Sequence, residues 1–111
     1  MDRHISSMFS LCMKAGKLTT GDFASIGALR TGEAKLIILA GDASDNTKKK
    51  FIDKAHYYST PVYIYSCMAD LSHMTGVVNR AVFAVTDGSF AANIQRRLRN
   101  ANITEAGEWQ K

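Results

Sequence analysis

The chain of 111 residues is 46% hydrophobic, enough for one core, and it is too short for a multi-domain enzyme. Its longest uncharged, mostly apolar run, Leu36 to Gly41, is about a third of a membrane-spanning helix, and no apolar signal region follows the first residues, so we expect a cytoplasmic protein with no membrane partner. The 14 basic and 10 acidic residues give a net charge of +4, which permits a polyanionic partner without requiring one.

The start of the chain predicts two helices. Apolar residues recur at helical spacing from Ile5 to Cys12, which indicates an amphipathic helix over about residues 3 to 14 with Asp2 as its cap. A second helix is predicted to start from a cap at Gly21 and to end at Gly32. We therefore expect two short helices before the first apolar run.

Three apolar runs predict strands, at residues 36–40, 62–65 and 81–85. The first run is apolar at every position, which is typical of a central strand covered on both faces. The predicted strands alternate with helical segments, and the connections are of helix length. This alternation predicts the α/β class, with a largely parallel sheet between helix layers.

Further helices are predicted between and after these strands. Turn- and cap-forming residues at 42–47 lead into a helix that reaches Tyr58, and Leu71 and Met74 mark a short helix. The last helix is predicted to begin at Gly88.

The domain organisation is predicted to be simple. Residues 1–101 form one domain in this interpretation, and residues 102–111 form a loosely ordered tail. The tail lacks a hydrophobic period and mixes Gly107 with charged residues, despite the presence of Trp109.

The usual catalytic and metal-binding motifs are missing. The chain has no Walker sequence, no GxGxxG or GxSxG motif, and no pair of histidines at metal-ligand spacing. Cys12 and Cys67 are far apart in apolar surroundings, so we expect reduced core thiols. Asp42 and Asp87 follow strands, and both precede candidate helix caps, so turn and cap roles are the favoured interpretation. We expect no catalysis, metal or cofactor.

A lysine cluster is the most informative charge feature. Lys48, Lys49 and Lys50 stand at the start of a predicted helix, where cations oppose the helix dipole at a cost of about 0.3 to 1 kcal/mol each. The free N–H groups of a helix start, together with lysines, make a site for phosphate. The alternative is a solvated helix face with Asp53 nearby.

A second candidate site is the turn from Lys17 to Gly21, with Gly27 on the helix that follows. A glycine inside a helix costs about 1 kcal/mol relative to alanine. Gly27 therefore indicates either close packing of two backbones or a surface left bare for a ligand.

A series of motifs in a fixed order resembles the bacterial YlxQ-type, L7Ae/L30e-like ribosomal proteins. The resemblance spans about residues 5 to 98 and implies a three-layer α-β-α sandwich with a small mixed, largely parallel sheet. It also implies RNA binding, in the wider family to kink-turns, where a bulge meets tandem sheared G·A pairs. The segments that carry it are Ala15 to Leu18, Gly21, Arg30 to Ala40, Asp42 to Lys50, Tyr57 to Tyr63, Leu71 to Gly76, and Asn79 to Asp87.

The resemblance also locates the RNA contacts and two departures from the family pattern. The wider family holds RNA with a Gly-x-Asn-Glu segment and a Lys one turn on. Those positions here hold Gly21, Asp22, Phe23, Ala24 and Gly27, so only the glycine matches. A second element, a Lys before a Leu-Gly step, is also changed, because Met68 replaces the Lys and Ser72 the Gly. Phe and Ala lack the hydrogen-bonding groups that read base edges.

Our leading hypothesis is a non-enzymatic, ribosome-associated protein that binds structured RNA, either a kink-turn or ribosomal RNA. In this interpretation three segments, at the Gly21 helix start, the 42–50 turn and an apolar loop at 71–77, are expected to meet at one sheet edge. Phe23 either stacks on a base or packs in the core. The candidate RNA-binding residues are Lys17, Gly21, Asp22, Phe23, Gly27, Lys35, Asp42, Ser44, Asn46, Lys48, Lys49, Lys50, Leu71, Met74, Thr75, Gly76 and Val77.

The alternative hypothesis is a protein-interaction adapter, which keeps the fold without specific RNA recognition and binds the ribosome or ribosomal proteins. The replaced base-reading positions, the apolar Phe23 and Met74, and Trp109 in the tail favour it.

Overall fold

The computed structural model describes residues 3–107, which form five helices and four strands. The predicted helices and the three predicted strands are present, whereas the short first strand was not predicted. The predicted cap Asp2 lies outside the described residues. The elements are α1 (Arg3–Lys14), β1 (Leu18–Thr20), α2 (Asp22–Thr31), β2 (Leu36–Leu39), α3 (Asp45–Tyr57), β3 (Val62–Ile64), α4 (Met68–Thr75), β4 (Val82–Val85) and α5 (Gly88–Asn100).

The strands form one mixed sheet in the order β1-β4-β2-β3. Strand β2 is parallel to β3, but β4 is antiparallel to both β1 and β2. The prediction of a mixed sheet is confirmed, and its description as largely parallel is wrong. The reason is the α4 connection: Ile64 and Val82 both pair with Leu39, so the chain leaves β3 and enters β4 at the same end of β2. An apolar run predicts a strand but not its direction.

The helices cover both faces of the sheet and confirm the three-layer α-β-α sandwich. Helices α1, α4 and α5 pack on one face, and α2 and α3 pack on the other. Along β2 the side chains alternate, so that Leu36 and Ile38 join the first cluster and Ile37 and Leu39 join the second. All four are fully buried, which explains the uninterrupted apolar run.

Side-chain caps begin two of the helices, α3 and α5. The Ser44 hydroxyl accepts a hydrogen bond from the Thr47 backbone N–H at 3.1 Å. The Asp87 carboxylate accepts one from the Phe90 N–H at 2.9 Å. Each cap satisfies a backbone donor that the helix itself leaves free, and the predicted cap role of Asp87 is confirmed.

The last described residues have defined contacts with the sheet. Ala106 N–H donates to the Val62 carbonyl at 2.8 Å, and its own carbonyl lies 3.0 Å from His56 Nε2. Ile103 packs against the core on the α1 side. These contacts differ from the expectation of a loosely held tail, because residues 103–106 cover part of the outer edge of β3. Trp109 lies outside the described residues.

Both cysteines are free thiols, as predicted, but of the two only Cys12 belongs to the core. Cys12 is fully buried and its Sγ donates to the Lys17 carbonyl at 3.3 Å, whereas Cys67 is half-buried. Burial, with a smaller contribution from the negative charge of Asp87, raises the pKa of Cys12 from 9.0 to about 11. Across residues 3–107, the helices are too short or too polar to cross a bilayer.

Candidate RNA-binding edge

One edge of the sheet collects the loops that the sequence singled out. Strands β1, β2 and β3 end there and β4 begins there, because Thr20 pairs with Phe83 while Ile64 and Val82 pair with Leu39. We call this the Gly21 edge, and it comprises residues 20–23, 40–48, 65–68 and 76–82. The Gly21 helix start and the 42–48 turn therefore meet at this edge as predicted, whereas residues 71–75 of the predicted third segment belong to α4 and do not.

Gly21 and Arg80 lie against each other at the centre of this edge. Gly21 has φ 92° and ψ 166°, and its N–H donates to the Val82 carbonyl at 2.9 Å. A Cβ at Gly21 would lie 3.6 Å from Cδ and Nε of Arg80, so the arginine side chain packs over the glycine. Arg80 is exposed, and its guanidinium has no hydrogen bond or ion pair within residues 3–107. The structure thus leaves this charge available to a ligand.

Phe23 is presented to solvent by the first turn of α2. Its side chain is 93% exposed. The alternative in which Phe23 packs in the core is therefore wrong, because the buried face of α2 is formed by Ser25, Ala28 and Leu29 instead. An aromatic ring this exposed contributes little to folding stability and is free to contact a ligand.

The 40–48 loop is held to the 65–68 loop by backbone contacts. Gly41 N–H donates to the Ser66 carbonyl at 2.8 Å, and a Cβ at Gly41 would lie only 2.7 Å from that oxygen. Asp42 lies in a turn, as predicted, but the cap of the following helix is Ser44; Asp42 Oδ1 instead accepts from the Met68 N–H of α4 at 2.9 Å. These contacts fix the two loops relative to each other.

The three side chains of the lysine cluster make different contacts. Lys48 Nζ donates to the Gly41 carbonyl at 2.6 Å and so lies at the Gly21 edge. Lys49 forms an exposed ion pair with Asp53 at 2.8 Å, and Lys50 lies 5.7 Å from the ring centre of Phe51. Lys48 therefore lies where the phosphate-site hypothesis requires a cation, whereas Lys49 fits the alternative of a solvated helix face with Asp53.

Two other predicted lysines lie at the opposite end of the strands. Lys17 precedes β1, and its carbonyl accepts from the Thr86 N–H at 2.9 Å. Lys35 precedes β2, and its N–H donates to the Val85 carbonyl at 2.7 Å. The structure therefore does not bring Lys17 or Lys35 to the Gly21 edge, because each comes before its strand rather than after it.

The predicted apolar loop is mostly helix. Leu71 and Met74 belong to α4 and are buried in the core beside α1, and Thr75 Oγ1 donates back to the Leu71 carbonyl at 2.8 Å. Gly76 ends the helix with φ 78°. The exposed apolar side chain of this loop is Val78, which is 69% exposed, rather than the half-buried Val77.

With this geometry established, comparison with known proteins identifies the family. The model of the ribosomal protein L7Ae/L30e/S12e/Gadd45 family matches residues 3–94. The chain belongs to this family. The resemblance stated from the sequence motifs is thereby confirmed.

Relatives and a solved structure agree with membership of the L7Ae/L30e/S12e/Gadd45 family. The chain is 41% identical over 85 residues to the RNA-binding protein YlxQ of Enterococcus faecium, covering 77% of this chain and 82% of the relative. It is 39% identical over 84 residues to the RNA-binding protein YlxQ of Bacillus subtilis (strain 168), covering 76% and 84%. A solved protein with unknown function from Bacillus halodurans matches with TM-score 0.85 and 30% identity, covering 88% of this chain and 99% of that one.

Three of the four remaining candidates of this L7Ae-family chain lie at helix starts at the Gly21 edge, and the fourth, Gly27, does not. Asp22 and Asn46 are exposed in the first turns of α2 and α3, and Ser44 caps α3. Gly27 lies inside α2, where an added Cβ would meet no atom within 4 Å. Close backbone packing therefore does not explain Gly27, and the alternative of a bare surface remains.

The charge at the Gly21 edge is not basic. Among its described residues, Lys48 and Arg80 are cationic, whereas Asp22, Asp42 and Asp45 are anionic. The group of three metal-ligating side chains that a metal site needs is not found within residues 3–107. Binding at this edge has to rely on a few placed groups rather than on a broad positive field.

Sequence reasoning missed Arg80 and Val78. If β4 were parallel to β2, the residues before β4 would lie at the sheet edge opposite Gly21. The prediction of a largely parallel sheet therefore placed Arg80 and Val78 away from Gly21. The available signal was Asn79, a residue type that favours the left-handed conformation it adopts here, with φ 58°. A turn at Asn79 would have allowed the reversal of β4.

Proposed function

We propose that the protein is a non-enzymatic, cytoplasmic, ribosome-associated protein that binds structured RNA through the Gly21 edge. The observation that supports the proposal is that the Arg80 side chain packs over Gly21, beside the exposed Phe23, and has no hydrogen bond or ion pair in the described residues. Membership of the L7Ae/L30e/S12e/Gadd45 family and the two relatives named RNA-binding protein support it. The hydrogen bonds that join the 40–48 loop to the 65–68 loop support a preformed binding surface.

Phosphate groups are recognised in this proposal by two cations and a helix start. Arg80 and Lys48 supply positive charge, and Gly21 supplies no side-chain cap for α2. The first N–H groups of α2 are therefore free to donate to a phosphate oxygen, which the helix dipole also favours. Because few charges take part, we expect a shallow dependence of affinity on salt.

Bases are contacted by apolar surfaces in this proposal. Phe23 stacks on an unpaired base, and Val78 in the loop after α4 packs against a nucleotide turned out of its stack. Stacking tolerates any base because every base has a flat π-face. Phe23 therefore contributes affinity more than sequence preference.

We propose that a kink-turn is bound by its shape and backbone rather than by its base edges. Phe23, Ala24 and Gly27 stand at the positions where the resemblance places Asn, Glu and Lys, and none of these side chains can read a guanine edge. Each lost bidentate contact costs about 1 to 3 kcal/mol of discrimination. Selectivity for a kink-turn over a regular duplex is therefore expected to be moderate.

A second candidate function is a protein-interaction adapter that binds a ribosomal protein at the same edge. The exposed, apolar Phe23 and Val78 favour it, together with the carboxylates of Asp22, Asp42 and Asp45. An apolar centre with charged neighbours is the usual composition of a protein interface. This candidate predicts that RNA alone binds weakly and that Phe23 is needed for ribosome binding after free RNA is digested.

The proposal is tested by titrating the protein into a kink-turn RNA with Mg²⁺. The control RNA has its sheared G·A pairs changed to Watson–Crick pairs. We expect tighter binding to the kink-turn, weakened by Phe23→Ala and by Arg80→Gln. The matched control variants are Leu11→Ala, since Leu11 is 56% exposed on α1, and Arg96→Gln, since Arg96 is exposed on α5.

Two results would overturn the proposal. Equal and steeply salt-dependent binding to both RNAs indicates a general basic surface only. Unchanged affinity in Phe23→Ala and Arg80→Gln removes the Gly21 edge as the binding site. If the protein sediments with ribosomes after free RNA is digested by nuclease, and this sedimentation depends on Phe23, the adapter function is favoured instead.

A further inference from the structure

The opposite edge of the sheet carries features that the Gly21 edge does not use. Strands β2 and β3 begin there, and helices α2 and α3 end there. We call it the Tyr58 edge, comprising residues 30–35 and 53–61. Two open hollows meet at Tyr58: one of about 420 Å³ is lined by Arg30, Lys35, Tyr58 and Pro61, among others, and one of about 350 Å³ by Asp53, Lys54, Tyr57 and Tyr58.

An aromatic pair stands between these hollows. Tyr57 is 81% exposed and Tyr58 is 37% exposed, and their rings meet edge to face with centres 4.9 Å apart. Tyr57 keeps most of its ring surface in contact with solvent although it contacts Tyr58. A ring this exposed contributes little to the core and makes a platform for stacking.

The cations of this edge have few partners of their own. The side chains of Arg30 and Lys54 have no hydrogen bond or ion pair within the described part of the chain, and Lys35 Nζ donates to the Gly32 carbonyl at 2.9 Å. Of the two carboxylates, Asp53 already pairs with Lys49. Glu33 accepts from the Thr31 hydroxyl at 2.9 Å. The Tyr58 edge is therefore net positive, whereas the Gly21 edge is not.

We propose that the Tyr58 edge is a second RNA-binding surface, which takes single-stranded RNA. A base stacks on Tyr57, and the neighbouring phosphates contact Arg30, Lys35 and Lys54. Basic grooves combined with exposed aromatic rings are how proteins bind single strands without reading the sequence. This proposal extends the proposed RNA binding to a different surface, so each surface can be tested while the other is intact.

The test measures binding of a short fluorescein-labelled RNA of uridine and adenosine that has no internal base pairing. The variants are Tyr57→Ala and the double change Arg30→Gln with Lys35→Gln; the controls are Leu11→Ala and Arg96→Gln, which lie outside both edges. We expect Tyr57→Ala to weaken binding roughly tenfold, the size of one lost base stack. The double variant is expected to weaken binding and to lower the salt dependence, while the controls bind like the parent protein.

The outcomes separate this surface from the proposed function. Loss of single-strand binding in Tyr57→Ala, with kink-turn binding unchanged, supports the proposal. Equal single-strand binding in the parent, Tyr57→Ala and the double variant overturns it, and so does a Tyr57 effect on a ribosomal protein partner but not on RNA. If the protein does not prefer the kink-turn RNA while Tyr57→Ala still loses single-strand binding, the proposed function of the Gly21 edge is wrong and the proposal for the Tyr58 edge is supported. Circular dichroism checks that each variant is folded, and Tyr57→Phe, which keeps the ring, is expected to restore binding.

Discussion

The Arg80 side chain packs over Gly21, with Cδ and Nε each 3.6 Å from the position of a Gly21 Cβ. The two residues are 59 positions apart in the sequence. They meet because β4 runs antiparallel to β1, so that the residue before β4 and the residue after β1 share one sheet edge. The candidate RNA-binding edge therefore depends on the antiparallel direction of β4.

Replacement of Gly21 by alanine tests the backbone conformation at this contact. The φ of 92° and ψ of 166° belong to a region that is open essentially to glycine only, and other residues there cost about 1 to 3 kcal/mol. We expect Gly21→Ala to lower the free energy of unfolding by that amount and to weaken RNA binding as Arg80 moves. Urea denaturation measures the first effect and the kink-turn titration the second. Unchanged stability would show that this backbone conformation is not required.

Gly27→Ala is the matched control and a prediction of its own. Gly27 is helical and an added Cβ meets no atom within 4 Å, so alanine fits without a clash. Alanine also restricts the unfolded chain, and we expect a gain of about 0.5 to 1 kcal/mol in urea denaturation. A loss of stability in this variant would mean that α2 packs more closely here than the geometry indicates.

Gly41→Ala is expected to destabilise the protein for a steric reason. A Cβ would lie 2.7 Å from the Ser66 carbonyl oxygen, which is backbone and cannot rotate away. The two loops must separate, which also weakens the 2.8 Å hydrogen bond from Gly41 N–H. Overpacking of this kind costs about 1 to 3 kcal/mol. Thermal denaturation of Gly41→Ala beside Gly27→Ala checks this, and equal melting temperatures would contradict it.

The sequence predicts the layers of this fold better than its edges. The apolar runs of β2 and β4 and the helical spacing of α1 and α5 follow from burial on fixed faces, so periodicity finds them. Strand β1 has three residues, Leu18, Thr19 and Thr20, and is too short for a pattern. Its pairing is decided by contacts with β4 that are distant in sequence.

The residues of the candidate site also divide into those that local sequence signals predict and those that depend on the whole fold. Gly21 and the 42–47 turn are local signals of a helix start, and both lie at the edge. The direction of β4 is not a local property, so Arg80 was missed. Exposure is not local either: Phe23 fits the apolar period of α2 although it is 93% exposed. A burial pattern therefore has to be read from the whole fold.

The lysine cluster provides a prediction with an internal control. Lys48 Nζ lies 2.6 Å from the Gly41 carbonyl, and Lys49 forms an exposed ion pair with Asp53. Of the three clustered lysines, Lys48 alone lies at the Gly21 edge, where it can contact a phosphate together with Arg80. We expect Lys48→Gln to weaken kink-turn binding and to reduce the slope of log affinity against log salt by about 1.

Lys49→Gln removes the same charge from the adjacent position and is expected to leave both quantities close to those of the parent protein. Exposed ion pairs contribute little to stability, so the variant is expected to stay folded. Equal effects of the two substitutions would mean that affinity follows net charge rather than position.

The buried thiol of Cys12 gives a pH prediction. Its pKa is raised from 9.0 to about 11, so between these values the unfolded chain has lost the thiol proton while the folded chain retains it. The contribution of this thiol to stability is therefore complete below pH 9 and is lost as the pH rises towards 11. We expect the melting temperature to fall across this range more steeply in the parent than in Cys12→Ala. All other groups are common to the two proteins, so the difference between the two slopes isolates Cys12; parallel slopes would show that its pKa is not raised by folding.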